Sequence, residues 1–192
     1  MKRTLITFAL VACALTSARA TVYDWTVAFS SAGEAASSPG TGAGTVEYDS
    51  VLHSLALSCS FSGLLGTTTA SHIHAATAVP LTGNAGVATT TPSFALFPLG
   101  VSSGTFNNTL DLTLSTSYNP SFVTANGGTT ASAEAALFAA MNSGEAYWNI
   151  HTTAAPGGEV RGFLMPVPEP SSLALAGLFG AVIIARKRIQ AK

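Results

Sequence analysis

Positive charge is almost absent from the interior of this sequence. Of its 8 lysines and arginines, seven lie within residues 1–20 or 186–192, which leaves Arg161 as the one cation between them. Eight of the 9 acidic residues lie in residues 21–165, so this body carries a net charge of −7 with histidine neutral. Nucleic acids and other polyanions are bound by clustered lysine and arginine. The sequence therefore predicts no nucleic-acid partner.

Cysteine and catalytic motifs are also scarce. Of the 2 cysteines, Cys13 lies near the N-terminus, so loss of the N-terminal segment would leave Cys59 without an intrachain disulfide partner. Cys59 alternates with Leu57 and Phe61 in one apolar row, which predicts a buried, unreactive thiol. The sequence contains no nucleophile elbow, phosphate-binding loop, His-Glu-x-x-His motif or catalytic carboxylate pair. We therefore predict that the protein is not an enzyme.

The N-terminus has the order of a secretory signal. Basic residues 2–3 precede an apolar run, and residues 18–20, Ala-Arg-Ala, supply the small side chains that signal peptidase needs beside its cleavage site. We interpret residues 1–20 as a signal peptide and signal peptidase as a partner. The alternative is a lipobox at residues 10–13 with Cys13 acylated, but the apolar core before that cysteine is too short.

The C-terminus combines three elements, each with a physical role. They are Pro168-Glu169-Pro170, an apolar run within residues 171–185, and a basic cluster of Arg186, Lys187 and Arg188. The prolines stop the preceding fold from continuing into a helix. The apolar run enters the bilayer, and the basic cluster stays in the cytoplasm by the positive-inside rule. An ordinary membrane anchor that is never cleaved is the alternative interpretation.

These elements, over residues 166–192, resemble the PEP-CTERM sorting signal of Gram-negative bacteria. The resemblance implies a transmembrane helix at about residues 171–185 and recognition by an exosortase. It also implies transient anchoring in the inner membrane with the body outside the cytoplasm. Cleavage near Pro168-Glu169-Pro170 would then deliver the protein to the cell envelope or the exterior.

The body consists mainly of short segments in which apolar and polar residues alternate, separated by turn residues. Strands are predicted at residues 22–29, 45–48, 52–61, 110–114, 147–152 and 159–164, with another around residue 73. Residues 77–104 are predicted to be loops because prolines and glycines interrupt them. The one predicted helix is Ala131–Met141, which is rich in alanine. We predict an all-β protein, a Greek-key β-sandwich of the immunoglobulin or superoxide dismutase type with one short helix.

Two segments contain three of the four histidines. The first is His72-Ile73-His74, and the second runs from Tyr147 to His151 and continues into Pro-Gly-Gly-Glu-Val-Arg-Gly at residues 156–162. These segments, in this order and at this spacing, resemble the CHRD domain, a module first recognised in chordin and also found in secreted bacterial proteins. The resemblance covers residues 21–165. That family has no settled molecular activity, so the likeness implies a module and not a reaction.

The three histidines have the spacing of a metal site. Alternate residues of a strand share a face, so His72 and His74 present two imidazoles about 6.6 Å apart at Cα. His151 from a neighbouring strand would complete three nitrogen ligands, a set that suits copper or zinc. Superoxide dismutase also carries His-x-His on a sandwich strand, but its further zinc ligands are missing here. The alternative is that the histidines hydrogen-bond loop backbones, while His53 lies at the surface.

Arg161 lies two residues from Glu159 and so on the same face of a strand. As the only cation of the body, it is predicted to pair with a carboxylate. We interpret Glu159 and Arg161 as a structural clamp.

Three functions are consistent with this sequence. The first is a structural or adhesive role in the cell envelope or extracellular matrix, with an envelope protein or polysaccharide as the unidentified partner. The second is copper or zinc binding through His72, His74 and His151. The third, capture of a protein ligand, follows from the resemblance to chordin, which binds growth factors.

Overall fold

The computed structural model describes residues 22–168. Within them the chain forms eight strands and two α-helices: β1 (Val22–Phe29), β2 (Thr41–Asp49), β3 (Ser54–Ser62), β4 (Thr68–His74), β5 (Gly104–Asp111), α1 (Pro120–Ala125), α2 (Thr130–Asn142), β6 (Tyr147–Thr152), β7 (Val160–Phe163) and β8 (Met165–Pro166). The predicted signal peptide, the span at about residues 171–185 and the basic cluster at 186–188 lie outside the described residues. Within residues 22–168, no helix is long and apolar enough to cross a membrane.

The strands form two antiparallel sheets. Sheet A has the order β5-β3-β2-β1-β8, and sheet B has the order β4-β6-β7. The chain builds β1 to β3 in sheet A, crosses to sheet B for β4, and returns for β5. It then crosses again for β6 and β7 and ends with β8 beside β1. The predicted all-β class is confirmed.

The core lies between the two sheets, because each strand turns its apolar residues inward at every second position. Trp148 of sheet B packs between Phe29 and Phe106 of sheet A, with ring centroids 5.5 and 6.2 Å away. Its indole nitrogen donates a hydrogen bond to Ser71 Oγ at 2.7 Å. Cys59 is buried in the same core, as predicted, and burial raises the pKa of its thiol to about 12.

Two sequence predictions need correction here. The strand predicted at residues 110–114 was wrong, because β5 ends at Asp111. There the Asp111 carboxylate accepts hydrogen bonds from the backbone and hydroxyl of Thr113, at 2.9 and 2.6 Å. Such local hydrogen bonds compete with those between strands and turn the chain after Asp111, although the alternation of leucines continues to Leu114.

The second correction concerns the helices. The predicted helix at residues 131–141 is confirmed as α2, but the expectation of a single helix was wrong. A second helix, α1, begins at Asn119-Pro120 and was not predicted: the Asn119 side chain accepts a hydrogen bond from Ser121 N at 3.0 Å, and Pro120 occupies the first helical position. Helix α2 closes one end of the core, where Phe138 packs 4.7 Å from Tyr23.

Candidate metal centre

Sheet B is buried on both of its faces, and all six residues of β6 are buried. One face packs on the core. The other carries mainly polar side chains: His72, His74, Tyr147, Asn149, His151 and Arg161. Three loops cover this outer face, namely residues 30–40, 75–103 and 153–159. Their backbone carbonyls provide acceptors for the polar side chains beneath them.

Each of the three imidazoles donates one ring N–H to a carbonyl of a covering loop. The pairs are His72 Nε2 with Pro92 at 2.6 Å, His74 Nδ1 with Ala85 at 3.0 Å, and His151 Nδ1 with Pro156 at 3.0 Å. A carbonyl oxygen only accepts hydrogen bonds, so these nitrogens carry the protons. In each neutral ring the other nitrogen is therefore an unprotonated lone pair.

The three rings converge. One ring nitrogen of each histidine lies within 4.8 Å of one ring nitrogen of each of the others. His74 Nε2 and His151 Nε2 are 3.4 Å apart, and His72 Nδ1 is buried without a hydrogen-bond partner. A tetrahedral zinc ion with Zn–N bonds of about 2.0–2.1 Å holds its ligands about 3.4 Å apart. His74 Nε2 and His151 Nε2 already have this separation. The longest nitrogen–nitrogen distance, 4.8 Å, would shorten by about 1.4 Å on binding.

The three rings are neutral at pH 7. Burial lowers the pKa of His72 and that of His74 to about 4, although the carbonyl hydrogen bonds oppose the change. Burial also lowers the pKa of His151. Metal binding requires neutral imidazole, so the lone pairs are available without loss of a proton. The structure thus contains both arrangements left open by the sequence: hydrogen bonds to loop backbones and a cluster with ligand spacing.

Arg161 pairs with a carboxylate, as expected, but with that of Glu34 and not that of Glu159. Its Nε lies 3.4 Å from Glu34 Oε1. Its Nη1 donates to Gly83 O at 3.2 Å and to Asn84 Oδ1 at 2.7 Å. Arg161 therefore ties two of the covering loops, residues 30–40 and 75–103, to sheet B.

Glu159 forms a second, separate clamp, because it precedes β7 and its side chain reaches the β3–β4 loop. It is fully buried and accepts four hydrogen bonds: from Ser38 Oγ at 2.6 Å, Leu65 N at 2.5 Å, Gly66 N at 3.1 Å and Thr152 Oγ1 at 2.5 Å. Burial alone would raise the pKa of Glu159, but these donors outweigh it and lower the pKa. The ionised carboxylate fixes the end of β6, next to His151.

An aromatic stack supports the cluster from one side. The Tyr147 ring stacks on His74 with centroids 4.9 Å apart and planes at 11°. The Arg161 guanidinium lies 4.7 Å from the Tyr147 ring centroid. Tyr147 and His74 donate to the same acceptor, because the Tyr147 hydroxyl also donates a hydrogen bond to Ala85 O, at 3.3 Å. The orientation of the His74 ring is thus set by both its hydrogen bond and this stack.

A cleft of about 550 Å³ opens beside the cluster, lined by residues that include His74, Asn149, Glu34 and Gly158. Asn149 Nδ2 donates to Glu34 Oε1 at 3.1 Å, while Asn149 Oδ1 is buried without a partner. Burial raises the pKa of Glu34, although Arg161 and Asn149 oppose the change. A side chain at Gly158 would collide with both Asn149 and Glu34, so this position requires glycine.

His53, the fourth histidine, is not part of the cluster. Its side chain is 50% exposed, as expected for a surface position, and its Nδ1 lies 2.9 Å from Glu134 Oε1. Glu134 in turn accepts a hydrogen bond from the Tyr48 hydroxyl at 2.7 Å. This network joins α2 to the β2–β3 hairpin.

Comparison with known families places these features in context. The model of the CHRD domain family matches residues 25–164, which include both histidine segments and the Gly-Gly-Glu-Val-Arg-Gly sequence. The chain belongs to the CHRD family. Both its histidine cluster and its two clamps lie inside the CHRD domain. No curated protein and no solved structure matches the chain.

The CHRD domain is followed by a second match, the PEP-CTERM protein-sorting motif, at residues 166–188. This range includes Pro168-Glu169-Pro170 and the basic cluster at residues 186–188. Pro168 is exposed and lies two residues after the end of β8, and Glu169 and Pro170 lie outside the described residues. The two matches together support an exported CHRD protein that is sorted through an exosortase.

Proposed function

We propose that this exported CHRD protein binds one transition-metal ion, copper or zinc, and acts as a binding protein and not as an enzyme. The ligands are His72 Nδ1, His74 Nε2 and His151 Nε2. The observation that carries the proposal is the convergence of three buried imidazoles, each oriented by a backbone carbonyl and each left with one unprotonated nitrogen. Metal-bound histidines are held by the same kind of outer hydrogen bond.

Without a shared cation, this arrangement is costly. His74 Nε2 and His151 Nε2 are both acceptors at 3.4 Å, so neither satisfies the other. A buried polar atom without a partner costs about 1–3 kcal/mol. Protonating one of these two rings would satisfy the pair, but burial disfavours the charged ring and His72 Nδ1 would still lack a donor. A divalent ion satisfies all three nitrogens at once.

The ligand types favour copper or zinc over other ions. Imidazole nitrogens suit both metals. Calcium and magnesium require mainly oxygen ligands. Among the described residues, no carboxylate or thiol joins the three histidines in this group.

The proposed location follows from the sorting motif. Residues 1–20 act as a signal peptide, and the segment at about residues 171–185 anchors the chain in the inner membrane of a Gram-negative cell. Arg186, Lys187 and Arg188 hold its end in the cytoplasm. Exosortase cleavage near Pro168-Glu169-Pro170 then releases the CHRD domain to the envelope or the exterior.

A structural or adhesive role in the envelope or matrix is a second proposal, compatible with metal binding. It is favoured by the exposed face of sheet A, where Thr45, Ser58 and Asn107 lie side by side in register. These uncharged side chains suit contact with a neutral polysaccharide or protein surface. Failure to retain the protein on isolated envelope material, at any salt concentration, would count against this role.

Elemental analysis of the exported protein tests the metal site. We expect one copper or zinc ion per chain, and loss of that ion when His72, His74 and His151 are all changed to alanine. His53→Ala is the matched control and should keep the metal. A protein that stays metal-free after incubation with both ions, with an unchanged Tm, would refute the proposal.

A further inference from the structure

We propose that the three-histidine centre has an exchangeable coordination position that opens on the neighbouring cleft. Its ligand is a small neutral or cationic molecule that offers both a metal-binding atom and an N–H or O–H donor. This inference rests on the proposed metal site and adds to it the chemical class of a bound ligand.

The number of ligands leaves one position free. Among the described residues, the group that could hold an ion has three members, His72, His74 and His151. Zinc, like the cobalt(II) that can replace it, takes at least four ligands, and zinc sites with three protein ligands complete the set with water or another small molecule. Of the three rings, His74 lines the cleft of about 550 Å³. That volume accommodates a molecule much larger than water.

The register of sheet B places Asn149 on the fourth side of the cluster. His72 and Asn149 are directly opposite each other on β4 and β6. His74 lies two residues after His72 on β4, and His151 lies two residues after Asn149 on β6. Because the strands are antiparallel, His74 and His151 lie on opposite sides of the His72–Asn149 pair, yet their Nε2 atoms are 3.4 Å apart. The two rings therefore lean toward each other across the His72–Asn149 pair. Asn149 also lines the cleft, so it lies between the cluster and the open space.

The polar groups on this side are mainly acceptors. Asn149 Oδ1 is buried without a hydrogen-bond partner. The Glu34 carboxylate lines the same cleft, and one of its oxygens already accepts from Asn149 Nδ2 at 3.1 Å. The Arg161 guanidinium is packed over Tyr147, its Nη1 donates to Gly83 and Asn84, and its Nε, which has no hydrogen-bond partner, lies 3.4 Å from Glu34 Oε1, so the negative charge of Glu34 offsets its positive charge. A ligand here needs a donor for Asn149 Oδ1 and is disfavoured if it is an anion.

Cobalt(II) loaded into the exported protein gives a visible spectrum that reports ligand exchange. The first test compares imidazole with 1-methylimidazole, which binds metals through the same nitrogen but lacks the N–H donor. We expect imidazole to change the spectrum at about a tenfold lower concentration, the effect of one hydrogen bond to a buried acceptor. Metal content after gel filtration checks that neither probe removes the cobalt.

The second test compares azide binding in the wild type, Glu34→Gln and Glu47→Gln. Glu47 lies on the exposed face of sheet A, so its variant is a control for net charge. We expect E34Q to bind azide about tenfold more tightly than the wild type, and E47Q to match the wild type. Because the imidazole comparison needs no variant, it decides the inference even if E34Q fails to fold.

The outcomes separate this inference from the proposed function. A protein that takes up neither cobalt nor zinc nor copper would overturn both. Cobalt uptake with a spectrum that none of the three probes changes would show a closed site and overturn the inference alone. Equal binding of imidazole and 1-methylimidazole, or equal azide binding by E34Q and E47Q, would also overturn it.

Discussion

The outer faces of the two sheets differ sharply, although both follow the same alternation along their strands. The outer face of sheet A is exposed and bears mainly small uncharged side chains, such as the row of Thr26, Thr45, Ser58 and Asn107, together with the acidic pair Asp24 and Glu47. The outer face of sheet B bears three histidines, an asparagine and the single arginine of the described residues, and three loops bury it. One face meets water directly, and the other meets backbone carbonyls and carboxylates.

This difference indicates where the molecule depends on specific polar contacts. Buried polar groups destabilise a fold unless they are hydrogen-bonded, whereas exposed ones are satisfied by water. Sheet B and its loops satisfy nearly all of their buried groups, and the exceptions include His72 Nδ1 and Asn149 Oδ1, at the proposed metal centre and its cleft. The face of sheet A has no such requirement. Changes on the two faces should therefore differ in their effects.

The largest effect of a single substitution is expected for Glu159→Gln. The amide cannot match a carboxylate that accepts four hydrogen bonds, because its NH₂ group would face the Leu65 amide in one orientation and the Gly66 amide in the other. We expect the free energy of unfolding to fall by about 3–5 kcal/mol, measured by urea denaturation. Glu47→Gln on the exposed face of sheet A should change it by less than about 0.5 kcal/mol. Similar losses for both variants would contradict the comparison.

Acidification should also destabilise the metal-free protein through sheet B. His72 and His74 have a pKa of about 4 in the folded state against an ordinary value of 6.5, so the unfolded chain binds protons first. Stability is then full above pH 6.5 and falls as the pH drops toward 4, by up to about 3 kcal/mol for each ring. The measurement is urea denaturation at a series of pH values.

A variant with glutamine at positions 72, 74 and 151 should show a flatter profile between pH 6.5 and 4. Glu159 adds a further loss only below its ordinary pKa of 4.5, since its folded pKa is lowered. Glu34, with a raised pKa, acts in the opposite direction, but above its ordinary pKa of 4.5 and so within the range in which the histidines titrate. An equally steep fall between pH 6.5 and 4 in the glutamine variant would remove the histidines as its cause.

The sequence predicted those features that depend on local periodicity. Alternation placed Cys59 in the core, set His72 and His74 on one face, and located β1 and β6. Where local patterns are ambiguous, the predictions failed. Asn-Pro both starts helices and makes turns, so α1 was missed, and the leucines beyond Asp111 continued a strand pattern that the Asp111 side chain ends.

The contacts around the histidines could not be predicted, because they depend on the paths of the covering loops. His151 lies opposite Ala70 in the ladder, so its approach to His74 results from ring orientations set by Pro156 and Ala85. Glu34 lies in a segment rich in glycine, serine and alanine that has no periodicity. One feature of the sequence did indicate a role for such a carboxylate, because Arg161 is the only cation of the body and needs an acidic partner. The sequence does not show which of the eight acidic residues that partner is.

Metal binding should stabilise sheet B by a moderate amount. An ion that binds only the folded state at about 100 times its Kd adds about 2.7 kcal/mol. We expect zinc or copper to raise the Tm of the wild type and of His53→Ala, but not that of His74→Ala. Differential scanning calorimetry with and without a chelator measures the change. An equal rise in His74→Ala would place the ion elsewhere.

The smallest effect is expected on the exposed face of sheet A. Ser58 lies between Thr45 and Asn107 in the sheet, and a hydroxyl there exchanges freely with water. Ser58→Thr keeps the hydroxyl and favours the strand, so the free energy of unfolding should change by less than about 0.5 kcal/mol.

Ser71→Thr is the buried counterpart, because Ser71 Oγ donates to Asn149 O and accepts from the Trp148 indole. The added methyl group has no space in that core, so urea denaturation should show a loss of about 1–3 kcal/mol. Equal tolerance at both positions would mean that burial does not distinguish the two sheets.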